Sequence, residues 1–390
     1  MDIFQYLNRL DFIILCCFVI AWLIQMAYIW GLFSRLAFYK NKNIDSKKGT
    51  YEPVSVIVCS RDSYSYLKEL VPTILSQDYP EFELVIVNDC SQDETSAYLK
   101  RLLIEHPEVN VVTLSQSLNF FKGKKFPLSM GIKSAKYDLL LLTDADCKPN
   151  NDQWIKGMMS AYNNDKIEIV VGYGPYAKRK GLLNKLIRFD TLYTAIQYLS
   201  MALAKKTYMG VGRNLSYRRT TFYKNKGFTS HYTIPSGDDD LFISQVATKN
   251  NTNVFIDPNI RVESHPKRSW SEWIHQKRRH YSTANMYKPF TSFVLGNLLL
   301  NRLFYYILLP FLFILPSSCI FNDNILYYYI FISLLLIIHY TSMVMIYVKS
   351  AKNLGEKKLF LAFSPFYDFF FMIFTTLLGL RNKISKPKGW

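Results

Sequence analysis

Apolar residues gather into blocks rather than spreading evenly along the chain. Residues 12–33 read FIILCCFVIAWLIQMAYIWGLF, an uncharged run in which Gln25 is the one strongly polar side chain. About 20 apolar residues suffice to cross a bilayer core, so this run predicts a transmembrane helix. It is too long for a signal peptide's apolar region and lacks a small-residue cleavage site. Three further blocks, 293–315, 325–348 and 359–380, fill the last third. Between them, roughly 53–288 has the composition of a soluble globular domain.

Inside that segment the period switches repeatedly between strand and helix. VSVIVCS (54–60), FELVIVND (82–89), VNVVTL (109–114) and DLLLLTD (138–144) predict strands. Residues 64–76, 91–103 and 123–135 predict the intervening helices, with Ser91 and Glu94 spaced as a capping box for the second. Strands alternating with helices imply βαβ units and a parallel sheet, an α/β fold. Further on, LLNKLIRFDTLYTAIQYLSMAL (182–203) predicts a helix packed at the membrane interface. WSEWIHQKRRHYS (270–282) predicts a basic amphipathic helix on the bilayer surface. Trp270, Trp273 and Ile274 would face lipid or core, while Gln276 and Arg279, three apart, share another face.

Charge refines this picture. The formal net charge is +17. Much of it flanks the apolar blocks, which fits anionic lipid headgroups as partners and not nucleic acid. Arg35, Lys40, Lys42, Lys47 and Lys48 follow the first block, and Lys349, Lys352, Lys357 and Lys358 follow the third. The loop around 322–324 has no Lys or Arg. The positive-inside bias then puts the globular domain and the 349–358 loop in the cytoplasm. The tail (Arg381, Lys383, Lys386, Lys388) is also basic, yet four complete spans would leave it outside. The last block, which contains Pro365 and Asp368, therefore reads either as a span or as a re-entrant or interfacial segment. The six cysteines include no C-x-x-C, and Cys59, Cys90 and Cys147 read as small buried residues at strand ends. His231, His265, His275 and His280 lack metal-ligand spacing, so no zinc site is expected.

The candidate chemistry begins where DLLLLTDADCKPN leaves the fourth strand. Asp144 and Asp146 would sit at the carboxyl end of a sheet, where open α/β folds bind ligands. Two carboxylates there call for a cation between them. Neither G-x-G-x-x-G nor a P-loop is present, so the glycine loops that usually hold phosphates are missing. A metal on the D-x-D pair could hold a phosphate instead, and hard oxygen ligands suit Mg2+ or Mn2+. Taken alone, D-x-D is weak evidence and also reads as two solvated turn aspartates, and GDDDLF (237–242) as a solvated helix start.

Seven motifs in order resemble the GT-A domain of glycosyltransferase family 2. They are residues 54–80, ELVIVNDCSQDET (83–95), GKKFPLSMG (123–131), TDAD (143–146), GVGRNLSYRR (210–219), SGDDDLF (236–242) and QKRRH (276–280). With the flanking helices, the chain is similar to the membrane-bound branch that includes polysaccharide synthases and glycolipid transferases. The resemblance implies a GT-A fold with flanking transmembrane helices. It implies that Asp89 binds the nucleotide base and that Lys124 lies beside base and ribose. Asp144 and Asp146 match the D-x-D pair, with Asp146 the main metal ligand. Asp238 matches the general base, though Asp239 and Asp240 beside it leave the assignment open. Arg213, Asn214, Gln276, Arg279 and His280 complete the substrate-binding set. Three positions depart from the family: Ser63 and Gly237 replace glutamates, and His280 replaces the tryptophan expected to pack beside the acceptor sugar.

The implied activity is inverting transfer of a sugar from a nucleotide diphosphate, UDP being expected. The acceptor would be lipid-linked or a glycan at the cytoplasmic face of a bacterial inner membrane. The alternatives are a processive polysaccharide synthase that extrudes its product, or a non-catalytic sugar-nucleotide-binding subunit. The expected organisation is a transmembrane helix (1–35), a basic linker (36–52) and the catalytic domain (53–264). An interfacial segment with QKRRH (265–290), C-terminal membrane helices (291–380) and a basic tail (381–390) follow.

Overall fold

The computed structural model describes residues 9–40, 51–115, 123–234, 236–314, 325–356 and 361–385. Lys42, Lys47 and Lys48, the 322–324 loop, Lys357, Lys358, Lys386 and Lys388 lie outside them. The chain opens with α1 (Arg9–Met26), a π-helical stretch (Ala27–Phe33) and α2 (Ser34–Ala37), which form one long apolar rod. It continues through β1 (Val54–Ser60), α3 (Tyr64–Leu75), β2 (Phe82–Asp89), α4 (Thr95–Glu105), β3 (Asn110–Leu114), α5 (Lys125–Ser134) and β4 (Leu139–Asp144). Next come β5 (Cys147–Pro149), α6 (Trp154–Ser160), β6 (Ile169–Gly172), α7 (Leu182–Leu203), β7 (Leu215–Arg218) and α8 (Arg219–Lys224). α9 (Asp240–Val246), β8 (Thr252–Phe255), β9 (Val262–Ser264) and α10 (Trp270–Tyr281) finish the globular part. The long helices α11 (Pro289–Ile314), α12 (Ile325–Asn353) and α13 (Ser364–Ile384) close the chain.

The main sheet has the order β3-β2-β1-β4-β7-β6-β8. The first four are parallel neighbours, while β7 runs antiparallel between β4 and β6. Parallel strands covered on both faces read as near-continuous apolar runs, which is why VSVIVCS and LLLLT sit at its centre. The pleat sorts their side chains. Val54, Val56, Val58, Leu139 and Leu141 enter one core with α3, α4 and α6. Ile57, Leu140 and Leu142 enter the other, which contains α7 and continues into Ile29, Phe33, Leu36, Ile346 and Tyr347 of the apolar helices. One hydrophobic core thus joins the sheet to the rod and to α12.

Polar contacts fasten the same junction. Asn353 Nδ2, at the end of α12, donates to the carbonyls of Leu36, Ala37 and Tyr39 at 2.9–3.2 Å. Glu356 pairs with buried Arg188 of α7 and accepts from Tyr173 OH at 2.9 Å. Gly355 has φ +69, and a Cβ there would collide with the Pro258 carbonyl, so the turn requires glycine. The end of α12 and the end of α2 therefore both meet the globular domain. The rod, α11, α12 and the segment containing α13 are each long and apolar enough to span a membrane.

One local expectation fails. α4 begins at Thr95, not near Ser91, and Glu94 occupies its cap position without a side-chain cap. Ser91 and Asp93 are engaged elsewhere: Ser91 Oγ accepts from Asp62 N at 3.1 Å, and Asp93 accepts from Tyr64 N at 3.1 Å. They tie the turn after β2 to the turn after β1. A capping box does occur, at Ser269 and Glu272 on α10.

Candidate active site

The carboxyl edge of the sheet carries the acidic residues. Strand order reverses direction around β1, with β2 on one side and β4 on the other, and such a switch point opens a crevice. β2 ends on Asp89, whose buried carboxylate lies 4.0 Å from Arg61 and is raised above the usual range chiefly by that burial. Two non-glycine residues with left-handed backbone flank it, Asp62 (φ +47) and Cys90 (φ +53). Such conformations gather where a chain is bent to serve a site.

β4 ends on Asp144, in register with Cys59 of β1. Lys124, the residue just before α5, sends its buried ammonium straight onto the Asp144 carboxylate. Burial alone would raise the Asp144 carboxyl, but Lys124, Arg213 and Arg279 together hold it below the ordinary range. Burial alone would likewise lower the Lys124 ammonium. Asp144, Cys59 and Asp238 override it, and the lysine stays charged. Asp146 follows Ala145 out of the strand. Its carboxylate accepts from Ser264 Oγ at 3.3 Å, and burial, then the neighbouring Asp144, raises it. The antiparallel pairing of β5 with β9 places Ser264 there.

Ligand atoms of Asp144, Asp146 and Cys147 lie within 4.8 Å of one another. Burial holds the Cys147 thiol well above its ordinary pKa, so it stays protonated and soft. The two carboxylates are the hard donors, and a dication held by one or two carboxylates with phosphate oxygens completing its shell suits this set. Arg213 approaches from the other side, its guanidinium stacked 4.3 Å over the Tyr176 ring. Gly174 makes room for it, since a Cβ there would meet the Arg213 side chain at 2.6 Å.

The GDDDLF aspartates have three different fates. Gly237 adopts φ +98 and the Leu241 side chain fills the space a Cβ would need, so no glutamate could stand at this position. Asp239 accepts from the backbone N–H of Gly212 at 2.8 Å and of Asp240 at 2.7 Å. Burial, with Asp238 and Asp240 alongside, pushes its carboxyl up to about 7. Asp240 accepts from Thr283 Oγ1 at 2.6 Å and Tyr287 OH at 2.8 Å. Asp238 is half-buried, and its carboxylate accepts no hydrogen bond among the described residues. It raises the pKa of both Lys124 and Cys59, so the field of the D-x-D corner reaches it.

The remaining expected residues divide. Gln276 Nε2 donates to Tyr176 OH at 3.0 Å, which links α10 to the Arg213–Tyr176 stack. Arg279, on the same face, lies close enough to lower the Asp144 pKa. His280 is exposed in the last turn of α10. Asn214 is buried, and its amide both accepts and donates. It accepts from Trp154 Nε1 at 3.0 Å and donates to the Tyr173 carbonyl at 2.8 Å, so it braces the loop beneath Arg213.

Two residues escaped the sequence reading. Tyr176 joins Arg213 to Gln276, and the one signal for it was the GYGP loop that follows a strand. Buried Lys125 donates to the carbonyls of His231, Ile234 and Ser236 at 2.6, 2.9 and 2.8 Å. It thereby holds the loop that leads into Asp238. Adjacent lysines on one helix end thus grip two halves of the crevice, Lys124 the D-x-D corner and Lys125 the GDDD loop.

Known proteins share this arrangement of elements. The family described as Glycosyl transferase family 2 matches residues 55–225, and Glycosyl transferase family group 2 matches 154–348. An uncharacterized glycosyltransferase of Haemophilus influenzae is 23% identical over 198 residues, 50% of this chain and 60% of that protein. A poly-beta-1,6-N-acetyl-D-glucosamine synthase of Staphylococcus epidermidis is 25% identical over 195 residues, 49% of this chain and 46% of that protein. The chain thus spans about half the length of the curated relatives it matches. A mannosyltransferase of Pyrobaculum calidifontis, solved with GDP-Man and Mn2+, aligns with a TM-score of 0.56 at 18% identity. That alignment covers 90% of this chain and 100% of the other, and it is a likeness of fold.

Proposed function

Since the chain belongs to glycosyltransferase family 2, we propose that it moves a sugar, with inversion, from a nucleoside diphosphate to a lipid-linked or glycan acceptor beside the membrane. One observation carries the reading: the Lys124-held Asp144 and Asp146 form one wall of a crevice in which Asp238, unlike Asp239 and Asp240, accepts no hydrogen bond among the described residues. The catalytic unit is taken as 53–264, with 265–290 laid against it at the cytoplasmic face of a bacterial inner membrane.

A departing diphosphate gains negative charge in the transition state, and preorganised positive charge there lowers the barrier. Asp146 and Asp144 would hold Mg2+ or Mn2+, which when bound supplies Lewis-acid charge to the diphosphate oxygens. Arg279 and Arg213 add fixed positive charge from the protein, and an always-charged planar guanidinium suits phosphate. Asp89 would take the nucleotide base. Asp238 takes the proton of the attacking acceptor hydroxyl. The loaded aspartates beside it do structural work, Asp239 fixing the Gly212 turn and Asp240 anchoring the segment after α10. Gln276 acts through Tyr176 to set Arg213, and His280 remains open to the acceptor side.

UDP is the expected nucleotide, and the polymer named for the staphylococcal relative makes an N-acetylhexosamine the first sugar to test. The test is a panel of UDP-, GDP- and dTDP-sugars with purified chain and Mn2+, read as nucleotide release and as product length. Release with one sugar nucleotide and a single-sugar product supports the reading. A long polymer would move it to a processive synthase, and binding without release at any metal concentration would sink it.

A further inference from the structure

α13 is long enough to cross a membrane, at about 31 Å for its 21 residues against an apolar core of about 30 Å. A crossing helix carries one end away from the catalytic domain by that distance. α13 does not. Its start lies eight residues after Glu356, which is paired to Arg188, and eight residues reach at most about 29 Å. Tyr367, near that start, packs against Phe189 of α7 at 4.6 Å between ring centroids. At mid-helix, Phe374 stacks on Trp273 of α10 at 4.8 Å. At its end, Arg278 of α10 donates to Asn382 Oδ1 at 3.0 Å and to Ser385 Oγ at 2.8 Å, and Asn382 donates back to the Arg278 carbonyl at 2.9 Å. Start, middle and end all touch the globular domain.

The opposite face of α13 is bare and apolar. Phe366, Phe369, Ile373, Leu377, Leu380 and Ile384 are exposed, at spacings of three and four that form one stripe. Arg381 and Lys383 lie exposed beside the end of that stripe. Asp368 ties the helix sideways to α11 through Arg302 at 2.9 Å and Tyr306 OH at 3.0 Å.

We propose that α13 does not cross the membrane but lies along its surface on the catalytic side, stripe in the acyl chains and basic end among anionic headgroups. The occupant of the stripe is the bilayer. It continues the lipid-facing apolar surface of α11 and α12, and its flanking charge is of the sign that anionic lipid attracts. The rod, α11 and α12 then remain as the crossing helices, and the basic tail stays on the catalytic side, which resolves the charge conflict in the sequence. Because α13 clasps the helix that carries Gln276 and Arg279, the bilayer sets the height of that helix. The proposal stands independently of which sugar is moved.

The test is orientation-independent labelling in sealed phosphatidylethanolamine–phosphatidylglycerol vesicles with an impermeant maleimide-polyethylene glycol. In the full-length Lys133→Cys/Lys383→Cys chain, each molecule is expected to gain two tags or none, over the background of the parent's own cysteines. One tag per molecule, with the second added only by detergent, would overturn the proposal. Arg381→Cys in place of Lys383→Cys repeats the test at a second exposed position in the basic end. Leu377→Cys is expected to stay unreactive until detergent is added. If it reacts as fast as Lys133→Cys, something other than lipid faces the stripe and the proposal fails. Parent-like melting temperatures identify folded variants.

Discussion

Lys124 and Asp144 form an ion pair at the carboxyl edge of the sheet, though 20 positions separate them in sequence. The D-x-D corner therefore already contains a cation, supplied by the chain. A dication binding there must share Asp144 with it or displace it. Losing one partner of a buried pair costs about 3–5 kcal/mol, but the Asp144 side chain is 40% exposed, so screening brings the expected cost to about 1–2 kcal/mol. Lys124→Met should melt roughly 2–8 °C lower without metal. Mn2+ should recover most of that loss, because a dication replaces the missing charge. A deficit unchanged by Mn2+, measured by scanning fluorimetry, would separate the lysine from the metal site.

Asp238→Asn should keep donor affinity and lose turnover by about 10²–10⁴-fold, the usual worth of a positioned proton acceptor. Asp240→Asn should instead lower the melting temperature, because Thr283 and Tyr287 both donate to Asp240. Parallel donor titrations and single-turnover rates distinguish the two. Full turnover in Asp238→Asn would move the base elsewhere.

The carboxyl of Asp239, pushed up to about 7, gives a pH signature. A free carboxyl titrates near about 3.9, so between about pH 4 and 7 the folded chain holds a proton that the unfolded chain has released. That contribution to stability is present at low pH and is lost as pH rises through 7. Asp239→Asn cannot ionise. Its melting temperature relative to the parent should therefore rise from pH 5 to pH 8, whatever fixed amount the altered hydrogen bonds cost. A pH-independent difference would contradict the raised carboxyl.

Lys125 should matter for rate rather than for donor binding. Removing its ammonium orphans three carbonyls of the loop that leads to Asp238. Small misplacements of a reacting group cost on the order of 10²-fold. Lys125→Met is expected to lower kcat on that scale while donor affinity measured by calorimetry holds. An equal loss in both would make the lysine merely structural.

Much of this architecture was legible because its signals are long or strongly patterned. The four apolar blocks, strands β1, β2 and β4, and α7 at residues 182–203 follow directly from periodicity. What stayed hidden depends on partners distant in sequence. β6, β7 and β8 are four residues each, too short for alternation to show, and β7 is fixed by its antiparallel neighbours β4 and β6. Ser91 and Glu94 had the spacing of a cap, but Ser91 and Asp93 accept from Asp62 and Tyr64 in the turn after β1 instead. The acidic residues of the candidate site could be chosen from sequence. Their division of labour could not, because Gly212, Thr283 and Tyr287 decide which aspartates are occupied.

The central claim is that the D-x-D carboxylates bind a nucleoside diphosphate through a dication. Equilibrium titration of UDP against the purified chain at rising Mn2+, with Asp146→Ala alongside, tests it most directly. The account predicts that Mn2+ tightens UDP binding at least about tenfold in the parent, a coupling of about 1.4 kcal/mol, and that Asp146→Ala abolishes the coupling. UDP affinity that ignores the metal, or a coupling that survives Asp146→Ala, would contradict it.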